Sequence, residues 1–401
     1  MSNLELLPIN IAGEWRLGGG GESTTLYPAT GEVVGRLRAP SLEDVEEAIQ
    51  KADHAFRTSG WAQKKPHERA AVLHRVAQLI RERAEPLAQL QRLDNGKPIK
   101  ETRMLVASAA ATFQFFAAAC ETMEETITPS RGDFMTMSVY EPMGVVAAIT
   151  PWNSPIASEA QKLAPALAAG NAVVVKPAEA TPLLALELAK ICEEAGVPKG
   201  LVSVLPGRGS VIGDAITKHP LVKRVSFTGG TSTGKHIAHI AADKMMPVSL
   251  ELGGKSATMV LADADIDHAV NGVLYGIFSS SGESCIAGSR LVLHEVDGDP
   301  PRPFDVPSRD VPGATVRVGV VAQQGALQQL RRPGFGLTRI AVNVSGASLG
   351  TDAYVEGLLR LTAAVLAAAG LTTDPAGVSA RRTRPSASRS TARPRSSIQH
   401  Q

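Results

Sequence analysis

The sequence predicts an α/β fold organised around a doubly wound, mostly parallel β-sheet. From residue 145 onward, short runs of consecutive apolar residues alternate with stretches of helical spacing. Runs that are apolar on successive residues suit strands buried on both faces of a sheet, and parallel strands need crossover helices between them. The alternation therefore favours βαβ units. The predicted strands span residues 145–149, 172–175, 202–205 and 224–227, with helices at 158–169, 182–195 and 211–217.

Further helices are indicated by apolar residues that recur at helical spacing. We expect amphipathic helices at 42–58 and 66–93, where charged residues separate the apolar ones. The second of these helices should end at the segment 94–98, because its Asn, Gly and Pro residues favour a helix stop. A helix at 265–279 leads into a loop of small residues that contains Cys285.

Composition excludes several classes of protein. The chain has 401 residues, 44% hydrophobic and 20% charged, which allows two or three domains with full cores and excludes wholesale disorder or a fibrous repeat. No apolar stretch reaches the roughly 20 residues needed to cross a bilayer. The closest, 106–120, contains polar residues and predicts a buried helix. The N-terminus has no basic leader, so we expect a soluble, cytoplasmic protein with no membrane partner.

Three cysteines are too few for a disulfide framework and show no paired metal-ligand spacing, so we expect no metal site. The small residues around Cys285 favour an accessible, nucleophilic thiol, with a packed core thiol as the alternative. Glu251 ends an apolar strand before two glycines. This position suits a movable general base, with an exposed strand-end acid as the alternative.

Residues at the carboxyl ends of the predicted strands indicate a nucleotide site, because ligands of doubly wound sheets bind at that edge. Asn153, Lys176 and Thr228 fall there. Lys176 and Glu179 supply a cation and a carboxylate for a ribose, with a surface ion pair as the alternative. The glycine-rich run 227–234 opens a helix, where backbone amides either contact a phosphate or form a capping turn.

The charge and the amino-acid composition of the chain change together near residue 296. Residues 1–296 carry 28 Lys and Arg against 32 Asp and Glu, whereas residues 297–401 carry 13 Arg, no Lys and 7 acids. In the second part, Pro, Gly, Arg, Ser and Ala replace the alternation of strands and helices. We therefore expect a boundary at residue 296.

Five motifs stand in a fixed order along the chain, and the early segments Ile-Ala-Gly-Glu-Trp and 94–98 precede them. The five are Pro-Trp-Asn153-Ser-Pro, Lys176-Pro-Ala-Glu179, Phe227-Thr-Gly-Gly-Thr-Ser-Thr-Gly234, Glu251-Leu-Gly-Gly-Lys-Ser and Gly-Glu-Ser-Cys285-Ile-Ala-Gly-Ser-Arg. Together these segments resemble the aldehyde dehydrogenase superfamily over about residues 8–295.

The resemblance implies a domain organisation. A Rossmann-like, NAD-binding domain would comprise residues 1–125 and 145–251, and residues 252–296 would begin an incomplete α/β catalytic domain. Residues 126–144 would belong to an oligomerisation arm, so we expect a homo-oligomer. An exposed strand predicted at 133–139 agrees with this expectation, because an unpaired edge strand invites a partner.

The resemblance also implies a reaction, the oxidation of an aldehyde or semialdehyde to a carboxylic acid with NAD. Cys285 would form a thiohemiacetal and then a thioester, Asn153 with the Cys285 backbone N–H would hold the oxyanion, and Glu251 would activate water. A carboxylate at Glu179 favours NAD, with NADP as the alternative cofactor. The cofactor-binding residues implied are Lys176 and Glu179 at the adenine ribose, Gly229 and Gly234 near the pyrophosphate, Thr228 in the same loop, and Trp152 on the pocket wall.

Residues near Asn153 bear on the choice of aldehyde. The motifs imply that small or polar side chains line the aldehyde-binding tunnel, and such side chains favour a polar or bulky aldehyde such as a semialdehyde. The lining residues are Ser154, Ser158, Glu159, Gln161 and Ser284.

The resemblance stops near residue 295. Family members continue with a Glu-x-Phe-Gly-Pro motif, which is absent from residues 297–401. A lysine-free, Arg-rich stretch is typical of a gene read out of frame, and we interpret 297–401 as a non-family tail that is disordered or out of frame, with a frameshift near codons 294–300. One alternative is an inactive, truncated remnant that retains a nucleotide-binding domain. A less favoured alternative is a basic tail that binds nucleic acid through the six arginines of 381–395.

Overall fold

The computed structural model describes residues 4–261 and 264–293. The predicted tail at 297–401 lies outside these residues. Short strands come first, followed by four helices and a hairpin. The strands are β1 (Leu6–Leu7), β2 (Ile9–Ile11), β3 (Glu14–Arg16), β4 (Glu22–Leu26) and β5 (Val33–Arg38), the helices are α1 (Leu42–Thr58), α2 (Pro66–Glu82), α3 (Ala84–Asn95) and α4 (Ile99–Thr122), and the hairpin is β6 (Ile127–Arg131) with β7 (Phe134–Met137).

A five-stranded parallel sheet follows, which confirms the predicted α/β fold. Its strands are β8 (Val145–Ile149), β9 (Ala172–Lys176), β10 (Val202–Val204), β11 (Val222–Gly229) and β12 (Val248–Leu252), connected by helices α5 (Pro155–Ala168), α6 (Leu183–Ala195), α7 (Asp214–Lys218) and α8 (Thr231–Asp243). The strand order is β10-β9-β8-β11-β12, with β8 in the middle. Every residue of β8, β9 and β10 is buried, as uninterrupted apolar runs predict.

Helix α1 spans the predicted residues 42–58 and begins with a reciprocal cap. The Ser41 Oγ accepts a hydrogen bond from the Asp44 backbone N–H at 3.2 Å, and the Asp44 Oδ2 accepts one from the Ser41 N–H at 2.8 Å. The Asp44 carboxylate also accepts a hydrogen bond from Arg16 in β3 at 2.7 Å. The helix start is thereby tied to the N-terminal strands.

The helix predicted at 66–93 is interrupted at Arg83, which has φ −107° and ψ 18° between α2 and α3. Pro86 explains the break, because in a continuous helix its ring would collide with the carbonyl of Glu82 four residues earlier. The predicted stop after α3 is confirmed. Gly96 takes the left-handed conformation there, with φ 76°.

Helix α4 is longer than the predicted 106–120, and one face of it is buried. Val106 and Phe113 pack into the same core as the sheet, whereas Met104 and Phe115 are exposed. In the described part of the chain, α4 is the one helix long and apolar enough by length and composition to cross a membrane. A core helix passes the same test. Packing against α2 and α5 accounts for the apolar face of α4.

The segment 126–144 contains the antiparallel hairpin β6–β7, in which Ile127 is opposite Met137. Within residues 4–261 and 264–293 the hairpin forms a sheet of its own. Its strand β7 is exposed along its length, as predicted for 133–139. The hairpin therefore presents apolar surface outside the core.

After the central sheet, the chain forms a further two-stranded sheet. Strand β13 (Ala257–Val260) pairs in parallel with β14 (Arg290–Leu293), and helix α9 (Ile266–Phe278) connects them. A 3₁₀ turn at Ser279–Gly282 follows α9 and leads to Cys285. The helix predicted at 265–279 is confirmed, while the predicted domain boundaries stay a prediction.

Gly13 is a position where a side chain should strongly destabilise the fold. It has φ +82°, and a Cβ atom there would lie 2.5 Å from the backbone nitrogen of Gly200. Gly13→Ala has to displace backbone, so we expect the free energy of unfolding to fall by about 2–4 kcal/mol in urea denaturation. Gly31→Ala is the matched control, because Gly31 has φ +76° but no atom of the described residues within 4 Å of such a Cβ. That variant should lose only about 1 kcal/mol; equal losses would contradict the role of the Gly200 contact.

Candidate active site

Except for Cys285, which lies in a turn after α9, the predicted site residues lie at or next to the carboxyl edge of the central sheet, where the strand order reverses. Strand β8 pairs with β9 on one side and with β11 on the other, so the reversal lies between β8 and β11. Lys176 ends β9, and Asn153 follows β8. Thr228 is opposite Glu251 in the pairing of β11 with β12. The sheet therefore brings Asn153, Lys176 and Thr228 to one edge, as predicted, and it places Glu251 at the same edge.

Lys176 is buried at the end of β9, with 5% of its surface exposed. Its Nζ donates a hydrogen bond to the Pro177 carbonyl at 2.9 Å. Burial lowers the pKa of Lys176 to about 8, and the charge of Glu179 partly opposes that shift. The alternative of a surface ion pair is therefore wrong, because the ammonium is not at the surface.

Glu179 is exposed and lines a cleft of about 390 Å³. Arg208 and Val211 line the same cleft, and the segment 39–42 forms another part of its wall. The cleft thus presents both a carboxylate, which accepts hydrogen bonds from hydroxyl groups, and a guanidinium, which binds phosphate. No motif in the sequence indicated Arg208.

The N-terminus of helix α8 is open. The helix begins after Gly230, and none of the described side chains caps it. Within the described residues, no atom lies within 4 Å of a Cβ atom built on Gly230. Unpaired amides and the helix dipole favour an anion at such a terminus. The run 227–234 therefore forms the predicted strand end and helix start, with Thr228 beside it.

Two glycines of this run have packing roles. A Cβ atom on Gly234 would lie 2.5 Å from the Leu252 Cδ2, so the glycine lets α8 approach β12. The N–H of Gly234 donates to the Gly230 carbonyl at 3.0 Å within the helix. A Cβ atom on Gly229 would lie 2.6 Å from the ring of Phe227. The proximity of both glycines to a pyrophosphate stays a prediction.

Cys285 is exposed in a turn after α9, so the alternative of a packed core thiol is wrong. The Asn153 Nδ2 donates a hydrogen bond to the carbonyl of Glu283 at 2.7 Å. This contact joins the loop after β8 to the loop that carries the thiol. The side-chain amide of Asn153 and Cys285 therefore belong to one local structure.

Glu251 is exposed near the end of β12, and the chain that follows it passes beside Cys285. A Cβ atom on Gly254 would lie 3.0 Å from the Cys285 carbonyl oxygen. Lys162, on α5, donates to the Ser226 Oγ at 3.1 Å. Burial lowers the pKa of Lys162 to about 8, and the charge of Glu251 partly opposes that shift. The Glu251 carboxylate thus lies within electrostatic reach of a buried lysine.

The residues around Asn153 differ in exposure. Trp152 is 47% exposed, and its place on a pocket wall stays a prediction. Glu159 is fully buried, and its Oε1 accepts a hydrogen bond from the Thr150 hydroxyl at 3.1 Å. Burial raises the pKa of Glu159 well above its usual range. The expectation that Glu159 lines the aldehyde path is therefore wrong, because its carboxyl group is inside the core.

A comparison with protein families decides the assignment. The model described as "Aldehyde dehydrogenase family" matches residues 15–297, more than two thirds of the chain. The chain belongs to the aldehyde dehydrogenase family. The match ends one residue beyond the boundary predicted at 296.

Solved structures of aldehyde dehydrogenases are similar to this chain. An NAD⁺ complex of the aldehyde dehydrogenase from Bacillus cereus is 39% identical, with a TM-score of 0.71, and the match covers 72% of this chain and 60% of that one. A betaine aldehyde dehydrogenase point mutant from Staphylococcus aureus, in complex with NAD⁺ and carrying a BME-modified cysteine, is 37% identical (TM-score 0.70; 72% and 58% covered). HpcC from Thermus thermophilus is 40% identical (TM-score 0.69; 72% and 56% covered). The chain thus spans less than two thirds of the length of these three proteins.

Two side chains that no motif indicated as functional hold the loop that carries Cys285. The Lys97 Nζ donates to the carbonyl of Ser280 at 2.5 Å and lies 3.1 Å from the Glu283 Oε2. The Glu101 Oε1 accepts a hydrogen bond from the Ser280 N–H at 2.8 Å. Lys97 belongs to the segment 94–98, which the sequence indicates as a helix stop and as part of the family resemblance, but with no role for Lys97.

Proposed function

We propose that this chain catalyses the NAD-dependent oxidation of an aldehyde to a carboxylic acid, with Cys285 as the nucleophile. The observation that carries the proposal is the grouping of an accessible thiol, the Asn153 amide bonded to the same loop, and the segment after Glu251 beside it. Membership of the aldehyde dehydrogenase family supports the reaction class. The NAD⁺ complexes of the Bacillus cereus and Staphylococcus aureus proteins support the cofactor.

The described residues fit a bound NAD at the carboxyl edge of the sheet. Lys176 and the exposed Glu179 would hold the adenine ribose, and the open N-terminus of α8, beside Thr228 and Gly229, would receive the pyrophosphate. The Glu179 carboxylate accepts hydrogen bonds from free ribose hydroxyls and repels a 2′-phosphate, which favours NAD over NADP. When bound, NAD supplies the hydride acceptor that the oxidation requires.

Cys285 would start the reaction through its sulfur atom. The exposed Cys285 thiol would first lose its proton to solvent water; the thiolate Sγ would then bond to the aldehyde carbon while the electron pair of the C=O π bond moves to the oxygen, which becomes an oxyanion. The Asn153 Nδ2 has two hydrogens; one is bonded to the Glu283 carbonyl, and the other would donate to the oxyanion together with the Cys285 backbone N–H. Removing one such donor typically lowers the rate by about 10²–10³. The Glu283 contact therefore pre-orients a catalytic amide.

Loss of a hydride from the adduct carbon to the bound cofactor would convert the thiohemiacetal on Cys285 into a thioester, and Glu251 would complete the reaction as a general base. Its carboxylate would take a proton from water while the water oxygen attacks the acyl carbon of the thioester. The carbon–sulfur bond then breaks, the carboxylic acid leaves, and the Cys285 thiolate is regenerated. The two glycines after Leu252 carry no side chains, which suits a carboxylate that has to move between steps.

NADH formation by the full 401-residue chain tests the proposal, with a panel of short alkanals, polar aldehydes and semialdehydes. NADH formed in proportion to enzyme supports it. Absence of NADH from a folded sample that binds NAD would contradict it and support the alternative of an inactive remnant. The panel also tests the expected semialdehyde preference, which no longer draws support from Glu159.

NAD affinity is expected to fall as the pH rises through about 8. Because burial lowers the pKa of Lys176 to about 8, the ammonium loses its proton near that pH and becomes a weaker donor to ribose hydroxyls. Isothermal titration calorimetry should show a Kd about three- to tenfold higher near pH 9 than near pH 7. Lys176→Met should remove most of this pH dependence, whereas Lys199→Met, at an exposed lysine, should retain it. A wild-type Kd that stays constant over this range would contradict the role of Lys176.

We also propose that the β6–β7 hairpin contacts a second copy of this chain. Its apolar side chains are largely exposed, including Ile127 at 67% and Met135 at 70%. An exposed hairpin with apolar side chains is a suitable surface for strand or side-chain pairing between copies.

A further inference from the structure

A buried ion pair holds the loop that carries Cys285. Lys97 lies between α3 and α4, and none of its side-chain surface is exposed, while Glu283 keeps 24%. The Lys97 Nζ contacts the Ser280 carbonyl at 2.5 Å and the Glu283 Oε2 at 3.1 Å. A buried ammonium has to be compensated by acceptors, and both of these acceptors belong to the cysteine loop.

The same contacts hold a strained turn. Ser280 and Ser281 have φ values of 58° and 57°, in the left-handed region that residues with a Cβ atom rarely adopt. Ser280 is held on both sides, because its carbonyl accepts from Lys97 and its N–H donates to Glu101 at 2.8 Å. Such a conformation persists only where its surroundings fix it. The start of α4 therefore determines the shape of this turn.

Glu283 connects the ion pair to the reacting groups. Its carboxylate binds Lys97, and its carbonyl accepts the hydrogen bond from the Asn153 Nδ2 at 2.7 Å. Cys285 follows two residues later. A displacement of Glu283 would therefore move the Asn153 amide relative to the thiol, and misplacement by about 1 Å can lower a rate by about 10²-fold.

We propose that Lys97 is a positioning residue for the chemistry of Cys285. It fixes the turn 280–283, and through Glu283 it sets the placement of the Asn153 amide relative to the thiol. Lys97 acts through these groups and does not itself touch the reacting atoms. The kinetic part of this inference rests on the proposed function, whereas the structural part does not.

Hydrogen exchange tests the structural part on the full 401-residue chain. Lys97→Met removes the ammonium and keeps an apolar side chain, and Lys100→Met is the matched control at an exposed lysine. In Lys97→Met, amide exchange in the peptide 279–287 should be at least about tenfold faster, with exchange in β8 and β9 unchanged. Lys100→Met should exchange like the wild type. Unchanged exchange at 279–287 in Lys97→Met would overturn the proposal whether or not the chain is active.

The positioning part is tested by the steady-state kinetics of Lys97→Met and by the recovery of kcat in Lys97→Arg. Lys97→Met should lower kcat about 10²-fold and leave the Kd for NAD unchanged. Lys97→Arg keeps the cation, so its kcat should be at least about tenfold higher than that of Lys97→Met. A parallel loss of kcat, NAD binding and thermal stability, without recovery in Lys97→Arg, would indicate a general structural role and overturn the proposal. A wild-type chain that forms no NADH would contradict the proposed function alone, and hydrogen exchange would then decide the positioning.

Glu283→Gln provides a second route to the same answer if Lys97→Met fails to fold. This variant keeps an oxygen acceptor but removes the negative charge, so exchange at 279–287 should become about threefold faster or more. Where Lys97→Met does fold, the double variant should be no worse than Lys97→Met alone, because the two changes remove the same interaction. Additive losses would contradict a shared pathway through Glu283.

Discussion

Cys285→Ala is expected to abolish NADH formation, with a loss of at least about 10⁴-fold in kcat, because the covalent route has no other nucleophile. The remaining two cysteines are unsuited to replace it. Cys192 is buried, and burial raises the pKa of its thiol to about 12. The Cys120 thiol is occupied by a hydrogen bond to the Ala168 carbonyl at 3.3 Å, within the helical layer.

The control for this prediction is Cys120→Ala, which removes a thiol away from the sheet edge and should retain activity within about twofold. NAD binding by Cys285→Ala should equal that of the wild type, because Lys176, Glu179 and α8 are unchanged. Turnover by Cys285→Ala at the wild-type rate would end the assignment of the nucleophile. Loss of NAD binding together with activity would indicate misfolding instead.

The sheet could be predicted from the sequence because its strands are buried on both faces. Continuous apolar runs such as 145–149 favour buried parallel strands when stretches of helical spacing separate them. The break at Arg83 could not be seen in the apolar periodicity, which continues across it. The decisive feature is Pro86, whose clash is with a carbonyl four residues earlier. The apolar pattern also could not predict the full length of α4, because the first turns of this helix mix charged and apolar residues.

The part of the candidate site that lies at the ends of the parallel strands could be predicted from the sequence. Asn153, Lys176 and Thr228 converge because parallel strands end at a common edge. The pairing of Lys97 with Glu283 joins residues 186 positions apart and leaves no local pattern. The burial of Glu159 was also unpredictable, since a glutamate in a helix is usually exposed. Sequence motifs thus identify the reacting groups, whereas their supporting contacts need the structure.

Glu251→Gln is expected to separate the two halves of the reaction. The amide resembles the carboxylate in shape but is not a base, so thioester hydrolysis should slow by about 10²–10⁴-fold while the first oxidation proceeds. Stopped-flow measurements should show a burst of about one NADH per Cys285, followed by a slow steady state. Mass spectrometry of the quenched variant should find the acyl group of the aldehyde on the peptide that contains Cys285.

The matched control is Glu187→Gln on α6, where the carboxylate pairs with Lys190 on the same helix at 2.7 Å. This variant should form NADH at a steady rate, with a burst amplitude no larger than that of the wild type. The position of Glu251 on β12, separate from the cysteine loop, is what makes the two halves separable: the thiol and the Asn153 amide remain in place when the carboxylate is changed. A Glu251→Gln variant that lost the burst as well would place the carboxylate in the first step, as the base that removes the thiol proton.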